Sequence, residues 1–305
     1  MPNEPPMAVL SRLGAPSQGV FRGRRAIDAG LTRDQLARLR ADGSIERVHP
    51  DVFRLTAVTP SHEQRLRAAL LWAGDAAAAT GRSAAVLYGL DGVKASTPEV
   101  ALPHDVRGRS STIVVRHGAR AAFMTRRVRG FPVTGPEYSL LWLAHALDGE
   151  AFEVACEDAR RRRLTSVAAL QAYLDRFGRQ GRPGVAPVRA LLRELDPEHP
   201  ARSALEVKTR RLLVAHGITG FVRELPLEWN GRSYLYDFAF VRERTILETN
   251  GRRWHDDPRD FEHDHEKWSV PGRHGYRLVL ATWEKVTRAP DRLLRELTAT
   301  MTTAG

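Results

Sequence analysis

Cysteine is almost absent from this 305-residue chain: Cys156 stands alone, so neither an internal disulfide framework nor a Cys-based zinc cluster can form. That suits a reducing compartment, and Cys156 itself reads as a small helix residue. Lysine is scarce as well, limited to Lys94, Lys208, Lys267 and Lys285, so arginine supplies nearly all of the 47 basic residues. Long apolar runs are missing. The stretch around ALLWAG stops at Asp75, and the N-terminal MPNEPPMAVLSRLGAP has neither a basic start nor a long apolar core. The expectations are no membrane segment and a cytoplasmic protein.

What remains is ordinary globular usage, 42% hydrophobic and 27% charged, enough to bury a core in two or three domains. The basic excess leaves a formal charge of +11, which points first to nucleic acid as a partner. Residues 201–305 hold 18 basic and 15 acidic residues, so most of the surplus lies upstream. The preference for Arg over Lys, beside Ala-rich stretches, shares the explanation with codon bias.

Pattern divides the chain into three: 1–60, 61–200 and 201–305. After a Pro-containing leader, residues 21–29 suit a short helix closed by Gly30. A second helix runs from Arg33 to Ala41, with Thr32 and Gln35 as a capping box. Leu36 and Leu39 share one face of it, while Arg33, Ala37 and Arg40 share another. Two short strands follow, Ile45 to His49 and Val52 to Leu55. Helix, turn, helix, hairpin is a winged helix-turn-helix order. The region 61–200 reads as mixed α/β: helices at 61–74, 82–90 and 137–147, strands at 98–103 and 111–117, and no catalytic signature. Arg160 to Arg163 close a helix, where arginines complement the helix dipole or could meet phosphate. A Gly/Pro/Arg-rich stretch at 177–186 and DPEHPA mark a boundary near 200.

From residue 203 the order is αβββαβα: a helix to His216, strands near 221–228, 233–241 and 245–250, a helix near 258–270, a strand at 276–282 and a terminal helix. Asn230-Gly231 suits a tight hairpin. A two-residue turn at Arg242-Glu243 makes partners of residues whose numbers sum to 485, which sets Asp237 opposite Glu248. The alternation puts Leu235, Asp237 and Ala239 on one face and Ile246, Glu248 and Asn250 on the matching face. Two like charges at roughly 4.5–5.5 Å between Cβ atoms are unfavourable without a cation or a proton between them. Mg²⁺ or Mn²⁺ resolves that repulsion. An Asp and a Glu inside YLYDFAF and TILETNG are otherwise costly to bury.

Two resemblances rest on these residues. GLTRDQLARLRADGSIERVHPDVFRL resembles the winged-helix domain of AbiE-type (type IV) antitoxins, which implies that the helix from Arg33 enters a DNA major groove with Arg33 and Arg40 as contacts. SALEVKTRRLL, YDFAF, ILETNGRRWHDDPRDFEHDHEKW and GYRLVLATWEKV resemble an uncharacterised bacterial family related to very-short-patch-repair endonucleases, in the PD-(D/E)xK superfamily. That resemblance implies a restriction-endonuclease-like domain, metal carboxylates at Asp237 and Glu248, an accessory acid at Glu206 and a further polar site residue at His255. Asn250 occupies the position where relatives carry Lys or Asp, so Lys267 on the following helix becomes the candidate phosphate-facing lysine. Glu206 and Lys208 are too far apart around a helix to form the acid-x-Lys pair.

The implied activity is metal-dependent hydrolysis of phosphodiester bonds, with double-stranded DNA as partner and two copies needed to cut both strands. The alternative is a non-catalytic DNA-binding regulator or antitoxin-like protein that keeps only the nuclease fold. Several residues have plainer readings: helix capping for Glu206, a solvated acidic helix for His263 and His265, and packing for Trp254, Trp268 and Trp283.

Overall fold

The computed structural model describes residues 4–195, 201, 203–250 and 258–302, with the backbone alone described for 258–264. It is of the α+β class expected, with three separate sheets. The chain forms two compact units, Met1–Ala155 with Arg163–Glu194, and Cys156–Arg162 with Leu195–Gly305. Among the described residues, no helix is long and apolar enough to cross a membrane.

The first unit begins with α1 (Pro6–Gly14), β1 (Val20–Arg22), α2 (Gly23–Asp28), α3 (Arg33–Ala41), β2 (Ile45–His49) and β3 (Val52–Leu55). α3 has the expected boundaries, and its capping box is complete: Gln35 N–H donates to Thr32 Oγ1 at 3.1 Å and Thr32 N–H to Gln35 Oε1 at 2.8 Å. The helix expected over 21–29 is shorter, because Val20, Phe21 and Arg22 pair with Arg54, Phe53 and Val52 of β3. This makes a three-stranded sheet in the order β1-β3-β2. Phe21 stacks on Phe53 at 5.9 Å, so a long-range pairing outweighs the local helical preference of FRGRR. The leader also folds, and its Val9 and Leu10 join Phe21, Ala26, Leu31, Leu36, Ile45 and Leu55 in one core.

The rest of this unit contains α4 (His62–Ala73), β4 (Ala78–Ala79), α5 (Gly81–Tyr88), β5 (Glu99–Pro103), β6 (Val114–Gly118), α6 (Arg120–Phe123), β7 (Arg126–Val128), β8 (Phe131–Val133), α7 (Pro136–Ala146), α8 (Gly149–Arg161), α9 (Val167–Phe177) and α10 (Val185–Leu192). α8 ends within the residues of the second unit. The five strands order as β6-β5-β4-β8-β7. β4, β7 and β8 are two or three residues long, too short for an alternation signal, and exist through their neighbours.

The second unit follows the expected order: α11 (Ala204–Ala215), β9 (Val222–Trp229), β10 (Arg232–Phe240), β11 (Thr245–Asn250), α12 (Pro258–Arg273) and β12 (Arg277–Thr282). The last helix is divided into α13 (Trp283–Arg288) and α14 (Pro290–Thr302). The sheet order is β12-β11-β10-β9, with β11 and β12 parallel across α12 and the other pairs antiparallel. Asn230 and Gly231 both have positive φ, 50° and 72°, and close the β9–β10 hairpin as a turn twisted to match its strands. Phe238, Ala239 and Phe240 pair with Leu247, Ile246 and Thr245, the register expected.

Apolar residues cover both faces of this sheet. Leu205, Leu213, Val286, Leu293 and Leu297 from the helices pack with Phe238, Phe240 and Leu247 on one side. Val270 of α12 packs with Tyr234, Tyr236, Ala239 and Ile246 on the other. Tyr236 and Ala239 thus share a side although three residues apart, so the strict alternation expected along β10 slips by one beside Asp237.

Candidate active site and nucleic-acid interface

The slip marks the site. Asp237 has no Cα partner in either flanking strand: the β11 register stops at Phe238↔Leu247, and the β9 register passes from Tyr236↔Leu225 to Phe238↔Arg223. Glu224, at the skipped position on β9, adopts a left-handed φ of 54°. With the ladder interrupted, the carboxylates take over the orphaned amides. Glu248 Oε2 accepts the Asp237 N–H at 3.0 Å, and Asp237 Oδ2 accepts the Thr249 N–H at 2.9 Å and the Thr249 hydroxyl. Asp237 Oδ1 accepts no hydrogen bond from the described residues.

Both carboxylates are buried, Asp237 at 8% exposure and Glu248 at 5%. Burial, then the neighbouring Asp237 charge, pushes the Glu248 carboxyl up to about 7, with Lys267 pulling the other way. The Lys267 ammonium is ion-paired with Glu248 Oε1. Its position on α12 is held by Tyr236, whose hydroxyl donates to the Lys267 carbonyl at 2.6 Å and whose ring lies 5.3 Å from Nζ. Asp237, Glu248 and Lys267 are therefore together on the α12 side of the sheet. The residue that sequence reading missed here is Tyr236; as one aromatic in YLYDFAF it carries no distinguishing signal.

The other candidates are placed differently. Asn250 ends β11 half-buried, in register with Thr282. Glu206, 2% exposed, receives the helix-capping bond in which its N–H donates to Ser203 Oγ at 3.1 Å, and its carboxylate is ion-paired with Arg223, one position along from Asp237 in the β10 register. Lys208 turns instead to Trp283, its Nζ 5.6 Å from the ring. His255 and Trp254 lie outside the described residues, as does the His263 side chain. His265 is exposed and meets Trp268 edge to face at 5.6 Å. Among the described residues no group of three or more His, Cys, Asp or Glu side chains could hold a metal ion.

Arg33 and Arg40 are both exposed on α3, and with Ala37 they line a cleft of about 660 Å³. Arg24, Ile27 and Asp28 of α2, with Asp51 and Phe53 of the hairpin, complete its walls. Arg24 was not singled out from the sequence because FRGRR reads as one undivided helix start. The Arg160–Arg163 run is largely committed to carboxylates: Arg160 is buried against Glu157 at 2.6 Å, while Arg161 and Arg162 share Asp158. Interior ion pairing, not a phosphate-facing surface, accounts for those three.

No family model matches the sequence, and no curated protein matches it. Among solved structures, the chain is similar to the catalytic domain of the homing endonuclease I-Bth0305I, with a TM-score of 0.27 and 17% identity over 33% of this chain and 95% of that one. It is also similar to the RV2827C protein from Mycobacterium tuberculosis, with a TM-score of 0.45 and 20% identity over 65% of this chain and 78% of that one.

Proposed function

We propose that this protein is a cytoplasmic DNA-binding, divalent-metal-dependent endonuclease of the very-short-patch-repair-related kind. In this reading its first 60 residues act as a winged helix-turn-helix. The observation that carries the nuclease half is the placement of Asp237 and Glu248 at a break in the β10–β11 ladder with Lys267 against them. Two buried acids side by side destabilise a sheet unless something positive belongs with them.

Their oxygens form a hard donor set. Mg²⁺ and Mn²⁺ suit it, because Mg²⁺ commonly takes one or two carboxylates and completes its shell with water and substrate phosphate. Asp237 Oδ1, without a hydrogen bond, and Glu248 would hold such an ion. When bound, the ion supplies Lewis-acid polarisation of the scissile phosphate and a more acidic attacking water. The chain's own contribution is orientation and charge. The Thr249 amide and hydroxyl fix the Asp237 carboxylate, and the Asp237 amide fixes that of Glu248. Lys267, held by Tyr236, neutralises Glu248 and is placed to meet a phosphate oxygen once that carboxylate has another partner.

Arg33 and Arg40, with Arg24 beside them, supply a basic cleft to bind duplex DNA and deliver it to the second unit's chemistry. Cutting both strands needs two carboxylate sites, hence two copies of the chain. The test is cleavage or nicking of plasmid DNA by the purified full chain under Mg²⁺ and Mn²⁺. Loss of activity in both Asp237→Asn and Glu248→Gln is expected, and undiminished cleavage in both would refute the reading. The alternative, a regulator that binds DNA without cutting, is favoured by Asn250 and by Lys267 already satisfying Glu248. Tight, metal-independent DNA binding with no cleavage under any metal would establish it.

A further inference from the structure

A second cluster lies in the first unit, away from the carboxylates. The Tyr138 hydroxyl, the Trp142 indole N–H and the Arg116 Nε–H are buried atoms without a hydrogen-bond partner among the described residues. Tyr138 and Trp142 are one turn apart on α7, with rings 6.4 Å apart edge to face. Arg116 on β6 lays its guanidinium 4.4 Å from the Trp142 ring centre, and Arg182, just ahead of α10, lies 5.2 Å from the Tyr138 ring centre. One Arg182 nitrogen donates to the Phe177 carbonyl at 3.0 Å, and Arg116 makes no hydrogen bond or ion pair with a described residue. Gly118 closes β6 beneath the hydroxyl, where a Cβ would stand 2.7 Å from it, so only glycine leaves that space. Tyr138 is fully buried while Arg116, Trp142 and Arg182 are half-buried, which gives a floor and a solvent-facing rim.

Every one of these groups can donate, and two are cations. Buried polar groups in native proteins are almost always satisfied, so a convergence of unsatisfied donors points to a missing acceptor. One water accepts about two hydrogen bonds and brings no charge, too little for the indole, the hydroxyl and two guanidinium groups. A multi-oxygen anion matches both the number and the sign. Glu99 of β5 is the carboxyl that acts on Arg116, yet it packs against Gly81 at the start of α5, and burial raises its pKa towards the neutral form.

We propose that Arg116, Arg182, Tyr138 and Trp142 form a binding site for a phosphate-class oxyanion. This inference is independent of the nuclease reading and uses none of its residues. The anion is either free phosphate or the terminal phosphate of a nucleic acid, which calorimetry on the full chain distinguishes. Inorganic phosphate is titrated in a chloride buffer, and a 5′-phosphorylated trinucleotide is compared with its 5′-hydroxyl form. Binding of inorganic phosphate alone identifies a free-phosphate site, and tighter binding of the 5′-phosphorylated trinucleotide than of either comparator identifies a nucleic-acid end.

The expected result is affinity about tenfold or more weaker in Arg116→Gln and in Arg182→Gln, and about tenfold weaker in Trp142→Phe, which keeps the ring under Arg116 but removes its N–H. Arg109→Gln, an exposed arginine elsewhere in the unit, keeps wild-type affinity. Tyr138→Phe deletes an unpartnered hydroxyl without changing packing, so it decides the matter if an arginine variant does not fold. No binding by wild type at millimolar phosphate, or equal affinity in wild type and every folded variant, overturns the site.

Discussion

The Glu248 carboxylate accepts the backbone N–H of Asp237 across the strand pair at 3.0 Å, while Asp237 accepts that of Thr249 at 2.9 Å. Each acid thus does what a backbone carbonyl would do in an unbroken ladder. The arrangement orients both carboxylates from opposite strands and leaves their remaining lone pairs for a cation.

Removing the acids should separate chemistry from folding. Asp237→Asn retains an oxygen for the Thr249 amide, and Glu248→Gln retains one for the Asp237 amide, so both variants are expected to fold. DNA cleavage is expected to fall at least about a hundredfold in each, on the scale of losing a direct participant in catalysis. Gel assays of supercoiled plasmid under Mg²⁺ and Mn²⁺, beside circular dichroism of the same preparations, provide the check.

Lys267→Met keeps the apolar stem and the carbonyl that Tyr236 donates to, and deletes only the ammonium. Glu248 then loses its buried counter-charge, with an expected stability loss on the order of 1–3 kcal/mol. Cleavage should drop while DNA affinity stays within about twofold, because one ammonium is a small part of a phosphate-dominated interface. Denaturant melts and filter-binding on the same variant measure the two effects; parallel losses of cleavage and affinity would assign Lys267 to binding instead.

The metal-free protein should also show an unusual pH response. Glu248 titrates near 7 in the folded chain, above its ordinary value of 4.5. Between those limits the folded state keeps a proton that the unfolded chain has lost. Its contribution to stability is therefore complete below about 4.5 and disappears as pH rises through about 7. Relative to Glu248→Gln, the wild type should lose on the order of 1–3 kcal/mol between pH 4.5 and 7.5. Guanidinium unfolding at closely spaced pH values tests the difference; matching curves would show that Glu248 titrates normally.

For the α3 cleft, Arg33→Gln with Arg40→Gln should weaken DNA binding and lower the slope of log affinity against log salt by roughly 2, about 0.9 per lost phosphate contact. Fluorescence anisotropy over a salt series reads both quantities. An unchanged slope would place the DNA elsewhere. Thr32→Ala, which removes the cap that positions Arg33, should cost about 1 kcal/mol of stability in thermal melts.

Much of this molecule was open to local reasoning. The Thr32/Gln35 box set the start of α3, Asn230-Gly231 set one hairpin, and the turn after Phe240 set the register that brings Glu248 to Asp237. Capping, positive-φ turns and strand alternation act over a few residues, so a single sequence carries them. Three other features required distant parts of the chain to meet. Val20–Arg22 became a strand only because β3 was there to pair with it. The ladder break at Asp237 depends on both flanking strands, and the seating of Lys267 on Glu248 depends on where α12 crosses the sheet. Burial decides those cases, since a polar group removed from water must find whichever partner the packed chain offers, and no short stretch of sequence specifies that partner.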